Sequence, residues 1–241
     1  YICLNDDDLV VLDKEDNGCI CFKKGGQYEI KDVNAADKDL VLSDKYKHWT
    51  LKEIYEQPQV VNRTIGMGGR IYESNNNWFA KLGGLEQVQE TLSQTDNLII
   101  LGCGTSYNAG LHVLPFFKKI SGFNTCSIFD GAEFKKDDIP KNGITSIIML
   151  SQSGETRDLY ECLAICKNEG IKNTIGIVNV VDSMIAREVS CGVYLNAGKE
   201  IGVASTKVFL AQVIVLYLVA LWFCQIKTPT LFIEERNNTI Q

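Results

Sequence analysis

Two short hydroxyl-rich segments carry the chemistry readable in this chain, Gly102-Cys-Gly-Thr-Ser-Tyr107 and Ser151-Gln-Ser-Gly-Glu-Thr156. Each follows an apolar run with the look of a buried strand (97–101 and 145–150) and precedes a stretch with helical spacing. Where a strand turns into a helix, unpaired backbone N–H groups and the positive end of the helix dipole aim at one point. Such a point suits a phosphate. Two such turns in one parallel sheet predict a sugar-phosphate site.

The first segment does not fit a dinucleotide fingerprint. The third glycine would fall at position 107, which is Tyr107, and the first candidate ribose acid is Asp130, near a later strand end. The segment reads equally as a ligand site and as a tight turn with Ser106 capping the next helix. The second segment says more. Nearly all of its residues are polar, directly after a strand that should be buried. Ser153 or Thr156 as a helix cap would account for one of them and not for the rest. A nucleophile elbow needs glycines flanking a serine at two-residue spacing, and only Gly154 is near, so hydrolase chemistry has no support. The third segment is Asn196-Ala-Gly-Lys-Glu-Ile-Gly-Val-Ala-Ser-Thr-Lys207. Its small residues permit close backbone approach to a ligand, and Ser205 or Thr206 can cap the helix that follows. Lys207 reads first as a solvated or ion-paired lysine, and otherwise as a cation or a Schiff-base amine. Glu133 either enters the same cleft or is a surface carboxylate.

These turns need a sheet to hold them. Strand-like runs at 97–101, 126–129, 146–150, 174–178 and 192–195 alternate with helical stretches at 107–120, 157–168 and 183–188. The alternation predicts right-handed βαβ units in a five-stranded parallel sheet flanked by helices, an α/β fold of three layers. Ligands of such sheets bind beyond the carboxyl ends of the strands. Upstream, 9–12 and 19–22 are strand candidates around a turn-like 13–18, which suggests a hairpin. Residues 31–47 are polar and suit a linker. Residues 49–59 predict a helix with Thr50 as N-cap, Glu53 at the capping-box position and Pro58 ending it. A further helix is expected around 85–92.

Bulk properties narrow the class. With 24 basic and 30 acidic side chains the net charge is −6, which argues against a general nucleic-acid surface. The nine cysteines include no Cys-x-x-Cys pair, and His48 and His112 are the only histidines, so a structural zinc site is poorly supported. Buried reduced thiols in a cytoplasmic protein are the simpler reading. No cofactor is expected. Residues 208–224 are nearly all apolar, but the run is somewhat short for a membrane span and contains Gln212, so a buried core helix is expected. The chain starts at Tyr1, which suggests a piece of something longer.

Together these segments resemble the first sugar isomerase (SIS) domain of the glutamine–fructose-6-phosphate aminotransferases. The likeness rests on Lys52-Glu-Ile-Tyr-Glu-Gln-Pro58 with His48 ahead of it, Leu82-Gly-Gly-Leu85, Cys103–Tyr107, Leu150–Thr156 and the segment 196–207. The resemblance implies a flavodoxin-like SIS domain over 81–241, a linker over 31–80, and over 1–30 the last strands of a glutaminase domain. It implies that Ser151, Gln152, Ser153 and Thr156 hold the phosphate of fructose 6-phosphate or glucosamine 6-phosphate. Thr105, Ser106, Val203 and Ser205 would line the sugar. The family's catalytic groups belong to its glutaminase and second SIS domains, so this segment is expected to bind without turning over. A homo-oligomer built through SIS domains is also implied. Many eukaryotic members carry a UDP-N-acetylglucosamine feedback site at positions that here are Leu114, Ala186, Val189 and Tyr194. All four depart from the family's residues, which implies weak or absent feedback. The alternatives are a stand-alone sugar-phosphate sensor and a dimerisation scaffold that buries the helix 208–224.

Overall fold

The computed structural model describes residues 9–12, 20–24 and 45–240. They fall into two units, 1–45 and 46–241. In the first, β1 (Leu9–Leu12) and β2 (Ile20–Lys24) pair antiparallel, which is the hairpin expected from the sequence. The proposed turn at 13–18 and the polar stretch 31–44 lie outside the described residues.

In the second unit, α1 (Trp49–Tyr55) and α2 (Gln57–Thr64) lead into a hairpin of β3 (Ile71–Ser74) and β4 (Asn77–Ala80). The single helix expected over 49–59 is therefore two helices. Pro58 opens α2 rather than ending α1, because proline fits the first helical turn, where its missing N–H has no partner to lose. The N-cap position of α1 is His48, not Thr50, and Glu53 makes no capping box there. The helix expected around 85–92 is likewise divided, into α3 (Gly83–Glu86) and α4 (Gln89–Ser93). Residues 46–80 thus bring two helices and a hairpin to the same unit as the sheet.

The sheet itself contains β5 (Asn97–Gly102), β6 (Thr125–Asp130), β7 (Thr145–Ser151), β8 (Asn173–Val178) and β9 (Cys191–Tyr194). All neighbours are parallel, in the order β6-β5-β7-β8-β9. Every residue of β5, β7 and β8 is buried, whereas the edge strands β6 and β9 are partly exposed. Strands covered on both faces have no use for polar alternation, which is why these three read as continuous apolar runs. Their side chains still divide by parity. Leu98, Ile100, Ile148 and Leu150 face α5 (Thr105–Ile120) and α8 (Lys207–Lys227). Ile99, Leu101, Ile147 and Met149 face α6 (Arg157–Asn168) and α7 (Met184–Glu188). A short C-terminal helix, α9 (Ile233–Ile240), closes the unit.

By length and composition α8 could cross a membrane. Here it is a core helix. Most of its surface packs against α5, α2, α4 and β4, while Phe209, Val213, Ile214 and Tyr217 are half-buried. Trp222, Phe223 and Val219 are fully buried, and the Trp222 indole donates to Glu86 Oε1 at 2.8 Å.

Among the described residues six cysteines are free thiols. Burial pushes the thiols of Cys126, Cys162, Cys166 and Cys191 from an ordinary 9.0 up to about 12. Between those values the folded chain holds protons that the unfolded chain releases, so stability must fall as pH rises. The urea midpoint is expected to be unaffected by these thiols below pH 9 and to decline steadily from pH 9 to pH 11. A midpoint flat over that interval would show that the thiols are not buried as described.

Candidate functional site

In a sheet of this order the chain winds outward in opposite directions from β5, and the crevice between β5 and β7 opens at their carboxyl ends. Gly102, the last residue of β5, sits in register between Asp130 of β6 and Leu150 of β7. The turns after β5 and β7 are thereby side by side at the top of the sheet.

The first turn runs through Cys103 and Gly104 into α5. Gly104 has φ 56° and occupies the N-cap position, a left-handed conformation that glycine adopts without steric cost. Ser106 is therefore inside the helix and is not its cap. Its hydroxyl accepts a hydrogen bond from Gln212 Nε2 at 2.8 Å. Gln212 is almost completely buried in the otherwise apolar α8. Thr105, the first residue of the helix, is exposed. Beside it the Cys103 thiol is pushed up, first by burial and then by Asp130.

In the second turn the hydroxyls tie the chain into a compact loop. Ser151 Oγ and Thr156 Oγ1 share a hydrogen bond of 2.8 Å, and Ser151 Oγ accepts from the Gly154 N–H at 3.0 Å. Ser153 Oγ accepts from the Glu155 N–H at 3.1 Å. Gly154 lies at φ 67°, and a Cβ there would stand 2.0 Å from Ser183 Oγ, so the turn requires glycine twice over. Thr156 is at the N-cap position of α6 but makes no cap bond, its hydroxyl being committed to Ser151. Hence α5 and α6, the two helices that begin at this crevice, both start without a side-chain cap. Uncapped first turns leave N–H donors and dipole ends for an anion. Glu155 reaches away, accepting from the Met184 N–H at the start of α7.

The third segment links β9 to α8. Much of its anchoring comes from side chains outside the segment. Arg70 donates to the Tyr194 carbonyl at 2.6 Å. Asn179, just past β8, accepts from the Ala197 N–H and donates to the Gly198 carbonyl, while its own N–H donates to the Gln152 carbonyl at 3.2 Å. One residue thus joins the second segment to the third. Gln212 joins the third segment's helix to the first. Ser205 is half-buried and Val203 fully exposed at the tip of the loop. Neither Ser205 nor Thr206 caps α8 by its side chain. Glu200 does, its Oε1 accepting from Thr206 N, Thr206 Oγ1 and Val208 N. Lys207 is buried and pairs with Glu56 Oε2 at 2.8 Å, so it is the ion-paired lysine rather than a free amine. Glu133 is exposed, a surface carboxylate.

All eight predicted site residues lie on these three segments, and the fold draws the segments together at one end of the sheet. Asn179 as a tie between them escaped the sequence reading, and Gln212 was noted there only as an interruption of an apolar run. A lone amide in an apolar helix is a signal in itself, since a buried amide without a partner costs several kcal/mol. Elsewhere, Ala186, Val189 and Tyr194 line one cavity of about 160 Å³ between β8, β9 and α7, while Leu114, on α5, is not among its lining residues.

Comparison with known proteins shows the family to which this fold belongs. The SIS domain family matches residues 91–222, more than half of the chain. A probable glutamine–fructose-6-phosphate aminotransferase of Acanthamoeba polyphaga mimivirus is 39% identical over 221 residues, which is 92% of this chain and 35% of that protein. The C-terminal domain of glucosamine-fructose-6-phosphate aminotransferase from Francisella tularensis superposes with TM-score 0.70 at 32% identity, over 83% of this chain and 54% of that one. A putative phosphosugar isomerase from Clostridium difficile 630 shares the fold at TM-score 0.60 and 18% identity, over 80% of this chain and 49% of that one. The chain spans about a third of the length of the curated relatives it matches. It belongs to the SIS domain family, and its curated relatives are glutamine–fructose-6-phosphate aminotransferases.

Proposed function

We propose that this segment is the sugar-phosphate grip of a glutamine–fructose-6-phosphate aminotransferase, an enzyme that makes glucosamine 6-phosphate and glutamate from fructose 6-phosphate and glutamine. The observation that carries the proposal is the pair of helices α5 and α6, which start uncapped at adjacent strand ends, with Ser151 and Thr156 locked together at the second. The phosphate sits at the start of α6 among Ser151, Gln152, Ser153 and Thr156. The sugar extends toward Thr105, Ser106, Val203 and Ser205. Each charge-assisted hydrogen bond to the phosphate contributes about 1.5–3 kcal/mol, and several together suffice for micromolar to millimolar affinity. Assembly into a homo-oligomer through the SIS domain, and a cytoplasmic location, belong to the same reading, which carries no role for a cofactor.

Calorimetric titration of the 241-residue chain tests this. Fructose 6-phosphate should bind, and fructose without its phosphate should bind far more weakly. Ser151→Ala and Thr156→Ala should each weaken the phosphate ester by roughly tenfold or more, about 1.4 kcal/mol per decade, with the circular dichroism spectrum unchanged. Equal binding of sugar and sugar phosphate, or variants that bind like the parent, would overturn it.

The 160 Å³ cavity beside Ala186, Val189 and Tyr194 is also smaller than the roughly 300–1,000 Å³ of small-molecule sites. With the departures at Leu114, Ala186, Val189 and Tyr194, this favours weak or absent nucleotide-sugar feedback in this chain. Titration with UDP-N-acetylglucosamine should give no saturable heat up to millimolar concentration; micromolar binding would refute this part of the reading.

A further inference from the structure

The segment 196–207 is an unusual ligand loop, because its fixed points lie far away in the chain. Glu53, on α1, is 1% exposed. Its Oε1 accepts from the Ile201 N–H at 2.6 Å and the Gly202 N–H at 3.1 Å, and its Oε2 lies 3.2 Å from the same Gly202 N–H. A carboxylate this deeply buried is tolerated only when donors replace its water, and here successive backbone N–H groups do so with charge-assisted bonds. On the other side of the tip, Glu200 gathers Thr206 and Val208. One turn along from Glu53, Glu56 pairs with Lys207. The tip 203–205 is thus held by its two stems while Val203 itself is fully exposed. These polar ties, rather than apolar packing of Val203, set the position of the tip.

We infer that Glu53 is a positioning residue for the sugar-binding loop: by holding Ile201 and Gly202, helix α1 fixes where Val203 and Ser205 stand relative to the phosphate turn at 151–156. The inference rests on the sugar-phosphate reading above and adds to it a residue that touches no ligand. The two halves of the grip are then separable. The phosphate half depends on Ser151, Thr156 and the start of α6, whose hydrogen bonds do not involve Glu53. The sugar half depends on Glu53.

The test uses the 241-residue chain and two probes, inorganic phosphate and fructose 6-phosphate. Glu53→Ala should weaken fructose 6-phosphate about tenfold, equivalent to about 1.4 kcal/mol, and leave phosphate affinity unchanged. Glu53→Gln keeps an acceptor for both N–H groups and should recover most of the loss. A third variant approaches from the loop. A Cβ at Gly202 would lie 2.5 Å from Glu53 Oε2, so Gly202→Ala should displace the loop and reproduce the selective loss. In a Glu53→Ala background the same Gly202→Ala change should cost less than it does in the parent chain, because its nearest obstacle is gone and only Thr50 Oγ1, at 3.0 Å, remains close. If Glu53→Ala does not fold, the selective loss in Gly202→Ala and its absence in Glu53→Gln decide the matter. Unchanged binding of both probes in Glu53→Ala and Gly202→Ala would overturn the inference, and so would an equal loss of both, which a merely structural role produces. Failure of the parent chain to bind fructose 6-phosphate would instead overturn the reading beneath it.

Discussion

The adjacency of β5 and β7 in a parallel sheet is the constraint on which the site depends. Parallel neighbours place their carboxyl ends at the same edge, so whatever follows each strand must emerge there. Chain order then does the rest. The chain leaves β5 for β6 on one side and returns to β7 on the other, with Gly102 matched to Asp130 and Leu150. Two helices begin over this crevice with their N-termini toward it. Antiparallel pairing would put the two turns at opposite ends of the sheet, and no choice of side chains could then make one site of them.

Within that frame the hydroxyls are engaged away from the helix ends they could cap. A serine or threonine at a helix start ordinarily caps its own helix. Here Thr156 bonds Ser151, Ser151 holds the Gly154 N–H, and Ser106 is engaged by Gln212 from another helix. The hydroxyl of Ser106 accepts from Gln212, which leaves its own proton free to be donated elsewhere. The price of this arrangement is a buried amide in the apolar helix α8 and left-handed backbone at Gly104 and Gly154. Such departures from local preference gather where a ligand is to be held.

The sheet was legible in the sequence because burial on both faces imposes continuous apolar composition, which no turn or surface helix reproduces. Strand positions inferred for β5, β7 and β8 agree with the structure to within a residue or so at each end. The hydroxyl segments were legible because polar residues directly after such strands are conspicuous. The caps were not. Ser106, Thr50 and the pair Ser205 and Thr206 have the right side chains in nearly the right places, yet capping depends on where the backbone turns, and that shifts by a residue or two under tertiary contacts. Glu53 illustrates the limit most clearly. Its spacing from Thr50 matched a capping box, but its carboxylate is used 148 residues away, at Ile201. Local pattern cannot see a partner at that distance.

That distance bears on how the site is completed. Each βαβ unit of the sheet closes over a short stretch, so the hydroxyl turn at 151–156 is closed by bonds within itself and to Asn179, Met184 and Ile185, nearby in the chain. The loop 196–207 reaches further. Its ties run from Glu53 to Ile201 and from Glu56 to Lys207, over separations of 148 and 151 residues. Loop-closure entropy grows only logarithmically with length, so these ties cost little more than shorter ones at equilibrium. They join α1 to the loop, while α2 packs on α8. A buried carboxylate left without its N–H partners is costly, which makes α1 sensitive to whether the loop is in place. The same interaction read from the loop's side makes the loop sensitive to α1. Coupling of this kind is reciprocal: whatever moves α1 must act on the loop, and a ligand that orders the loop must hold α1.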